Sequence, residues 1–169
     1  MNEIDKINDD ILSSLSSFTQ RFDDVTSDRI SKMRECSFFD PLPSEHLAEI
    51  VNNSRIVSFA AGDKITTEQD VIRPFYVLIF GSATAYFDHQ EVGRILSGEC
   101  LGESAFFTKE APTRSATVIA DGEVIAMEMN QFDIEAIPDA TRMFLDKALL
   151  LALFKKLQTA NKRMQNTLL

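Results

Sequence analysis

The chain has 169 residues, 44% of them hydrophobic and 25% charged, which suits one cored globular domain with helical extensions. A formal net charge of −9 speaks against gripping DNA or RNA directly, because that affinity rests on basic residues neutralising phosphates. No apolar run reaches the ~18 residues of a membrane span, and Met1-Asn2-Glu3-Ile4-Asp5 has neither the basic start nor the apolar stretch of a signal peptide; no membrane is expected, and the expected location is cytoplasmic.

Residues 1–36 read as an N-terminal helical extension. Ile11, Leu15, Phe18, Phe22 and Val25 form a stripe at helical spacing, and Thr26-Ser27-Asp28 looks like a break and a new N-cap before a short helix through Met33. Phe38-Phe39-Asp40-Pro41-Leu42-Pro43 is a loop of buried-type aromatics. Ser44 then predicts a capped helix from Glu45 to Asn52, with Leu47, Ile50 and Val51 inward. Cys36 and Cys100 make no Cys-x-x-Cys pair or disulfide framework and read as reduced, structural residues.

Residues 37–139 form the central unit. From Arg55 the pattern becomes one of short strands broken by turns: Ile56–Phe59, Phe75–Phe80, Thr84–Phe87, Val92–Leu96, Ala116–Ala120 and Val124–Met129. Many short strands at this spacing predict an antiparallel sandwich or barrel, so the fold class is mainly β with flanking helices. His46, in a surface helix, and His89, in a hairpin turn, are expected to be exposed. Two histidines are also too few for the metal site of a cupin-like enzyme, so no metal is expected.

Phe132 to Ile137 is a short helical piece stopped by Pro138. Residues 140–169 then predict one long helix, with Leu150, Leu153, Leu157, Ala160, Met164 and Thr167 recurring as a coiled-coil seam would. That seam predicts a homodimer; a helix packed on its own barrel is the alternative.

The chemistry concentrates in Gly98-Glu99-Cys100-Leu101-Gly102-Glu103-Ser104-Ala105-Phe106-Phe107 and in Arg114-Ser115-Ala116-Thr117-Val118. Gly102 has no Cβ and lets a ligand approach its backbone. The amides of Ser104, Ala105 and Phe106 would be donors at a helix start, which favours an anion. Arg114 brings a planar donor fork suited to phosphate. Glu103 would repel a phosphate but can accept hydrogen bonds from sugar hydroxyls. Glycine, acid and arginine together suggest a ligand with both a phosphate and a ribose; the other reading is a surface ion pair between Glu103 and Arg114.

From about Phe38 to Leu157 the chain resembles the cyclic-nucleotide-binding domain family. The resemblance rests on Phe38-Phe39-Asp40-Pro41-Leu42-Pro43-Ser44-Glu45-His46-Leu47, on Gly62-Asp63-Lys64-Ile65, on Phe75-Tyr76-Val77-Leu78-Ile79-Phe80-Gly81, and on Gly102-Glu103 followed by Arg114-Ser115-Ala116-Thr117-Val118. It implies an eight-stranded, jelly-roll-like (cupin-like) antiparallel barrel with N-terminal helices and a long C-terminal helix. It further implies that Arg114 holds a cyclic phosphate with help from the amides around Ala105 and Ser115, and that Glu103 binds the ribose 2′-hydroxyl. Val92 and Leu101 would line the base and sugar pocket, and Gln158, Thr159 and Asn161 would be candidates to touch the base. The family's usual glycine is missing from Thr67-Glu68-Gln69-Asp70, and the loop from Thr108 to Thr113 is about one residue longer than in the bacterial regulators.

The expected function is therefore a non-enzymatic sensor without cofactor, binding cAMP in preference to cGMP and moving its C-terminal helix to control a dimer or an attached output domain. The end of the chain at Leu168-Leu169, inside the helix, suits an output domain lying beyond these residues. The alternatives are a degenerate barrel that serves only dimerisation or docking, and the truncated sensor half of a transcription regulator.

Overall fold

The computed structural model describes residues 27–68, 74–103 and 114–167. The stripe from Ile11 to Val25 lies outside the described residues. Helix α1 covers 27–34, and a 3-10 turn covers Ser37–Phe39. Helix α2 is Ser44–Asn52. Strands follow at Arg55–Phe59 (β1), Lys64–Thr66 (β2), Phe75–Phe80 (β3), Ser82–Phe87 (β4), Gln90–Leu96 (β5), Cys100–Leu101 (β6), Thr117–Ala120 (β7) and Val124–Met129 (β8). Helix α3 is Gln131–Glu135 and helix α4 is Asp139–Thr167.

The strands form two four-stranded antiparallel sheets, ordered β1-β8-β3-β6 and β2-β7-β4-β5. The antiparallel β architecture with flanking helices is as expected, but the sheets are not closed into a barrel. β2 and β6 were not anticipated as strands. They hold three and two residues, too short to show an alternation.

β3 explains why its sequence is apolar throughout. Phe75 and Val77 face the helices, while Tyr76 and Leu78 face the space between the sheets. A strand covered on both sides reads as a continuous apolar run. β8 behaves alike, with Met127 and Met129 under the helices and Val124 and Ala126 between the sheets.

The helical layer packs on the outer face of the first sheet. Leu47, Ile50 and Val51 of α2 are fully buried there with Phe38, Phe39 and, from α4, Leu145, Ala148 and Leu149. Cys36 and Cys100 are free and buried in the same layer. Ser44 does not cap α2. It is the first helical residue after Pro43, and its hydroxyl accepts from Arg34 Nη2 at 3.0 Å, which fastens α2 to α1. His46 is not exposed either. Its ring stacks on Phe144 at 4.5 Å, and Nδ1 lies 2.7 Å from Thr141 Oγ1, so it clasps α2 to the first turn of α4. His89 does sit at an exposed hairpin tip, where Asp88 and His89 both take positive φ as a tight two-residue turn requires.

α4 changes character along its length. Thr141, Leu145, Ala148 and Leu149 are buried, whereas Leu150, Phe154, Leu157 and Met164 are 67%, 55%, 59% and 59% exposed. The exposed stripe differs from the predicted seam: Leu153 is half-buried, Ala160 lines the cleft described below, and Phe154 takes a place in the stripe instead. No helix among the described residues is long and apolar enough to cross a membrane.

Candidate ligand cleft

The second sheet, the end of β6, the residues leading into β7 and one face of α4 enclose a cleft of about 410 Å³. Gly102 follows β6 directly with φ +80°. A side chain there would be strained by that φ and would run into the Arg114 guanidinium and the Pro74 carbonyl oxygen. Glycine is therefore required twice, once for conformation and once for space.

Arg114 is buried beside that glycine. Its Nη2 donates to the Pro74 carbonyl. The loop before β3 and the entry to β7 are thus joined across the end of β6. The guanidinium also acts on Tyr76, whose phenol is held protonated mainly by burial, then by its hydrogen bond to Glu128, against the opposing effect of Arg114 and Arg55. Glu128 in turn pairs with Arg55 at 2.8 Å.

Glu103 does not pair with Arg114. Its Oε1 receives Lys156 Nζ at 2.6 Å, with 19% of the Glu103 side chain and 33% of the Lys156 side chain exposed. The surface ion pair considered from sequence is thereby replaced by a bond from the cleft floor to α4. Lys156 was not anticipated as a site residue. Lys156, Thr159, Ala160 and Arg163 all line the cleft, and their spacing of three, four and seven residues places them on one helical face. That periodicity was in the sequence, but nothing there says which face of α4 meets the cleft.

Of the remaining expected residues, Val92, Leu101, Ser115 and Thr159 line the cleft with Gly102, Glu103 and Arg114. Gln158 and Asn161 are exposed and are not part of its wall. Ser104 and Ala105 lie outside the described residues, as do Phe106, Phe107 and residues 108–113.

The cleft concentrates positive charge in an acidic chain: Arg94, Arg114, Lys156 and Arg163 line it against Glu99 and Glu103. Two of these charges have structural duties. Arg94 Nε lies 3.1 Å from Asp121 Oδ2, and the Asp121 carboxyl is held below its ordinary range first by the Thr84 hydroxyl. Glu99 Oε2 accepts from the Leu96 amide at 2.9 Å and closes the turn between β5 and β6. Arg114 and Lys156 are engaged as well, with the Pro74 carbonyl and Glu103, and they line the same space as Arg163. No cluster of His, Cys, Asp and Glu able to hold a metal occurs among the described residues.

A family model described as the cyclic nucleotide-binding domain matches residues 56–141, half of the chain. A cyclic nucleotide-binding domain from Methylobacillus flagellatus superposes with a TM-score of 0.72 at 14% identity, over 86% of this chain and 85% of that one. The regulatory domain of Toxoplasma gondii PKA, crystallised with cAMP, superposes with a TM-score of 0.60 at 22% identity, over 72% of this chain and 48% of that one. The regulatory subunit of a cAMP-independent protein kinase A from Trypanosoma brucei gives 0.65 at 18% identity, over 85% and 50%. This chain spans about half the length of those two kinase regulatory chains, and at these identities the likeness to each structure is one of fold.

Proposed function

The chain belongs to the cyclic nucleotide-binding domain family, and from that premise we propose that it is a cAMP sensor that reports occupancy through α4. The observation that carries this reading is the convergence of Gly102, Glu103 and Arg114 on one cleft whose opposite wall is α4. Arg114 supplies the fork for the cyclic phosphate, assisted by the amides around Ala105 and Ser115. Glu103 accepts from the ribose 2′-hydroxyl. Val92 and Leu101 contact base and sugar, and Thr159, which lines the cleft from α4, contacts the base, whereas Asn161 requires α4 to turn about its axis.

Glu103 gives the sensor its coupling. The carboxylate that would take the ribose already holds Lys156 of α4, so ligand and helix compete for it or share it. Either way, ligand binding bears on the position of α4. To act as a switch the ligand must favour one position by a few kcal/mol, about 5.5 for a nearly complete change of population. The output is a homodimer made through the exposed stripe of α4, or a further domain joined to it, acting in the cytoplasm.

Titration calorimetry with cAMP and cGMP tests the reading. Heat with cAMP, abolished by Arg114→Ala, is the expected result; no heat with either nucleotide at millimolar concentration overturns it. A second reading, a ligand-free docking module, draws on one observation: Glu103 and Arg114 each already have a partner within the chain, Lys156 and the Pro74 carbonyl. The same titration separates the two.

A further inference from the structure

The end of the chain carries the opposite charge to the rest of it. From Lys147 to Leu169 the basic residues are Lys147, Lys155, Lys156, Lys162 and Arg163, with no acidic one, in a chain of net charge −9. Lys156 and Arg163 turn to the cleft, onto Glu103 and the Val92 carbonyl. Lys155 and Lys162 are exposed and form no ion pair among the described residues. With Leu151 they lie along one edge of α4, at helical spacing. That edge borders an uncovered apolar stripe, where Leu150, Leu151, Phe154, Leu157 and Met164 are each at least 44% exposed. A second α4 by itself matches the edge poorly, because it brings the same cations and no acid.

The chain holds a better match in residues 11–25, which lie outside the described residues. Ile11, Leu12, Leu15, Phe18, Phe22 and Val25 repeat, position for position, the spacing of Leu150, Leu151, Phe154, Leu157, Asn161 and Met164. The charge is opposite: residues 1–26 hold Glu3, Asp5, Asp9, Asp10, Asp23 and Asp24 against Lys6 and Arg21. On a helix, Asp9 and Asp23 fall on the edge marked by Leu12, as Lys155 and Lys162 fall on the edge marked by Leu151.

We propose that residues 11–25 pack as a helix, antiparallel, along the Leu151–Lys155–Lys162 edge of α4. The chain connection sets the direction. Ile30 packs on the core that holds Leu145, Ala148 and Leu149, with Ala152 at its margin. Val25, five residues before Ile30, therefore starts near Leu150, and an antiparallel course carries the segment out along the stripe. With Val25 level with Leu150 and Ile11 with Met164, Asp23 lies about one turn from Lys155 and Asp9 about one turn from Lys162. A lysine side chain spans that distance. Antiparallel helices with such faces close into four-helix bundles, so a second copy can join on the open side of the seam, the acidic segments then separating the basic helices. The proposal does not depend on the cyclic-nucleotide reading of the cleft, which neither Lys155 nor Lys162 lines.

The test is amide hydrogen exchange of the whole chain without nucleotide, at two protein concentrations, with assembly followed by sedimentation. Phe18→Glu should speed exchange over residues 153–164 by roughly tenfold and leave α2 and β3 unchanged. Lys155→Glu with Lys162→Glu should speed the same residues by about threefold. Adding Asp9→Lys and Asp23→Lys to that pair should bring exchange back to within about twofold of the unaltered chain. Exchange indifferent to Phe18→Glu overturns the proposal, and so does a lysine reversal that the aspartate changes fail to repair. Protection lost on dilution but untouched by Phe18→Glu gives the stripe to a second copy alone, which also overturns it. No nucleotide enters the experiment, so its outcome is separate from that of the titration.

Discussion

Lys156 Nζ lies 2.6 Å from Glu103 Oε1, so the exposed half of α4 is bonded to the residue that follows Gly102. Beyond Ala152 no described residue of the helix is buried, and a bond from Arg163 to the Val92 carbonyl ties it to the sheet further along. Lys156→Met should therefore loosen α4 without unfolding the domain. The pair is partly exposed, so its loss should cost only ~0.5–1 kcal/mol in denaturant unfolding. Amide hydrogen exchange in the ligand-free protein should quicken from about residue 155 onward and stay unchanged in α2 and β3. Unchanged exchange along α4 would show that the pair does not fasten the helix.

Two glycines with similar φ give a controlled comparison at the cleft. Gly62 has φ +87° and open space where a Cβ would go, whereas Gly102 has φ +80° and the Arg114 guanidinium and Pro74 carbonyl there. Gly62→Ala should cost only the conformational term, about 1 kcal/mol. Gly102→Ala adds displacement of a buried arginine, so its cost should exceed that of Gly62→Ala by at least ~1 kcal/mol. Ligand heat should survive the first change and vanish in the second. Equal stability of the two variants would mean that Arg114 can move aside freely.

The residues proposed for the phosphate and ribose stand out in the sequence because they cluster: Gly102 and Glu103 adjoin, and Arg114 lies three residues before β7. β3 and β8 were legible for a related reason, since strands buried on both faces are long apolar runs. Lys156 and Arg163 were not, because a helix with polar residues all around gives no sign of which face lies over a cleft until the sheets are placed. The seam on α4 was read one residue away for the same cause: Leu153 and Ala160 fit the period, but the fold turns them toward its own surface and brings Phe154 outward. His46 was taken for a surface residue because its partners, Thr141 and Phe144, are almost a hundred residues away. The Pro74 carbonyl is a backbone feature with no residue signature.

The Cys100 thiol is pushed up to about 12 from an ordinary 9.0, chiefly by burial. At neutral pH it is protonated in both the folded and unfolded chain and contributes no pH dependence. Between about 9 and 12 the unfolded thiol loses its proton while the folded one keeps it, so the folded state binds more protons and stability falls as pH rises. The slope for this group should approach but not exceed ~1.4 kcal/mol per pH unit. Tyr76, raised by burial and by Glu128, acts in the same direction at the top of that window. Unfolding curves from pH 8 to 11 should show the decline, and Cys100→Ala should make it shallower. The same burial predicts that a thiol reagent at pH 8 reacts with Cys100 only after denaturation.

Leu150, Phe154, Leu157, Asn161 and Met164 recur at four, three, four and three residues along the outer face of α4, and all are exposed. This is the spacing of a two-stranded seam with one polar residue in it, a pattern that fixes register and partner number at some expense of stability. Two such helices would bury two copies of each large side chain, at about 1.5–3 kcal/mol for a fully buried one. Leu157→Glu should therefore lower the association constant by well over tenfold, seen in sedimentation equilibrium as conversion from dimer to monomer. None of the five residues lines the cleft, so the variant should still give ligand heat. Asn161→Val should act the opposite way, tightening association and admitting assemblies larger than a dimer. A protein that sediments as a monomer at tens of micromolar, with or without nucleotide, would instead leave this face for an attached domain.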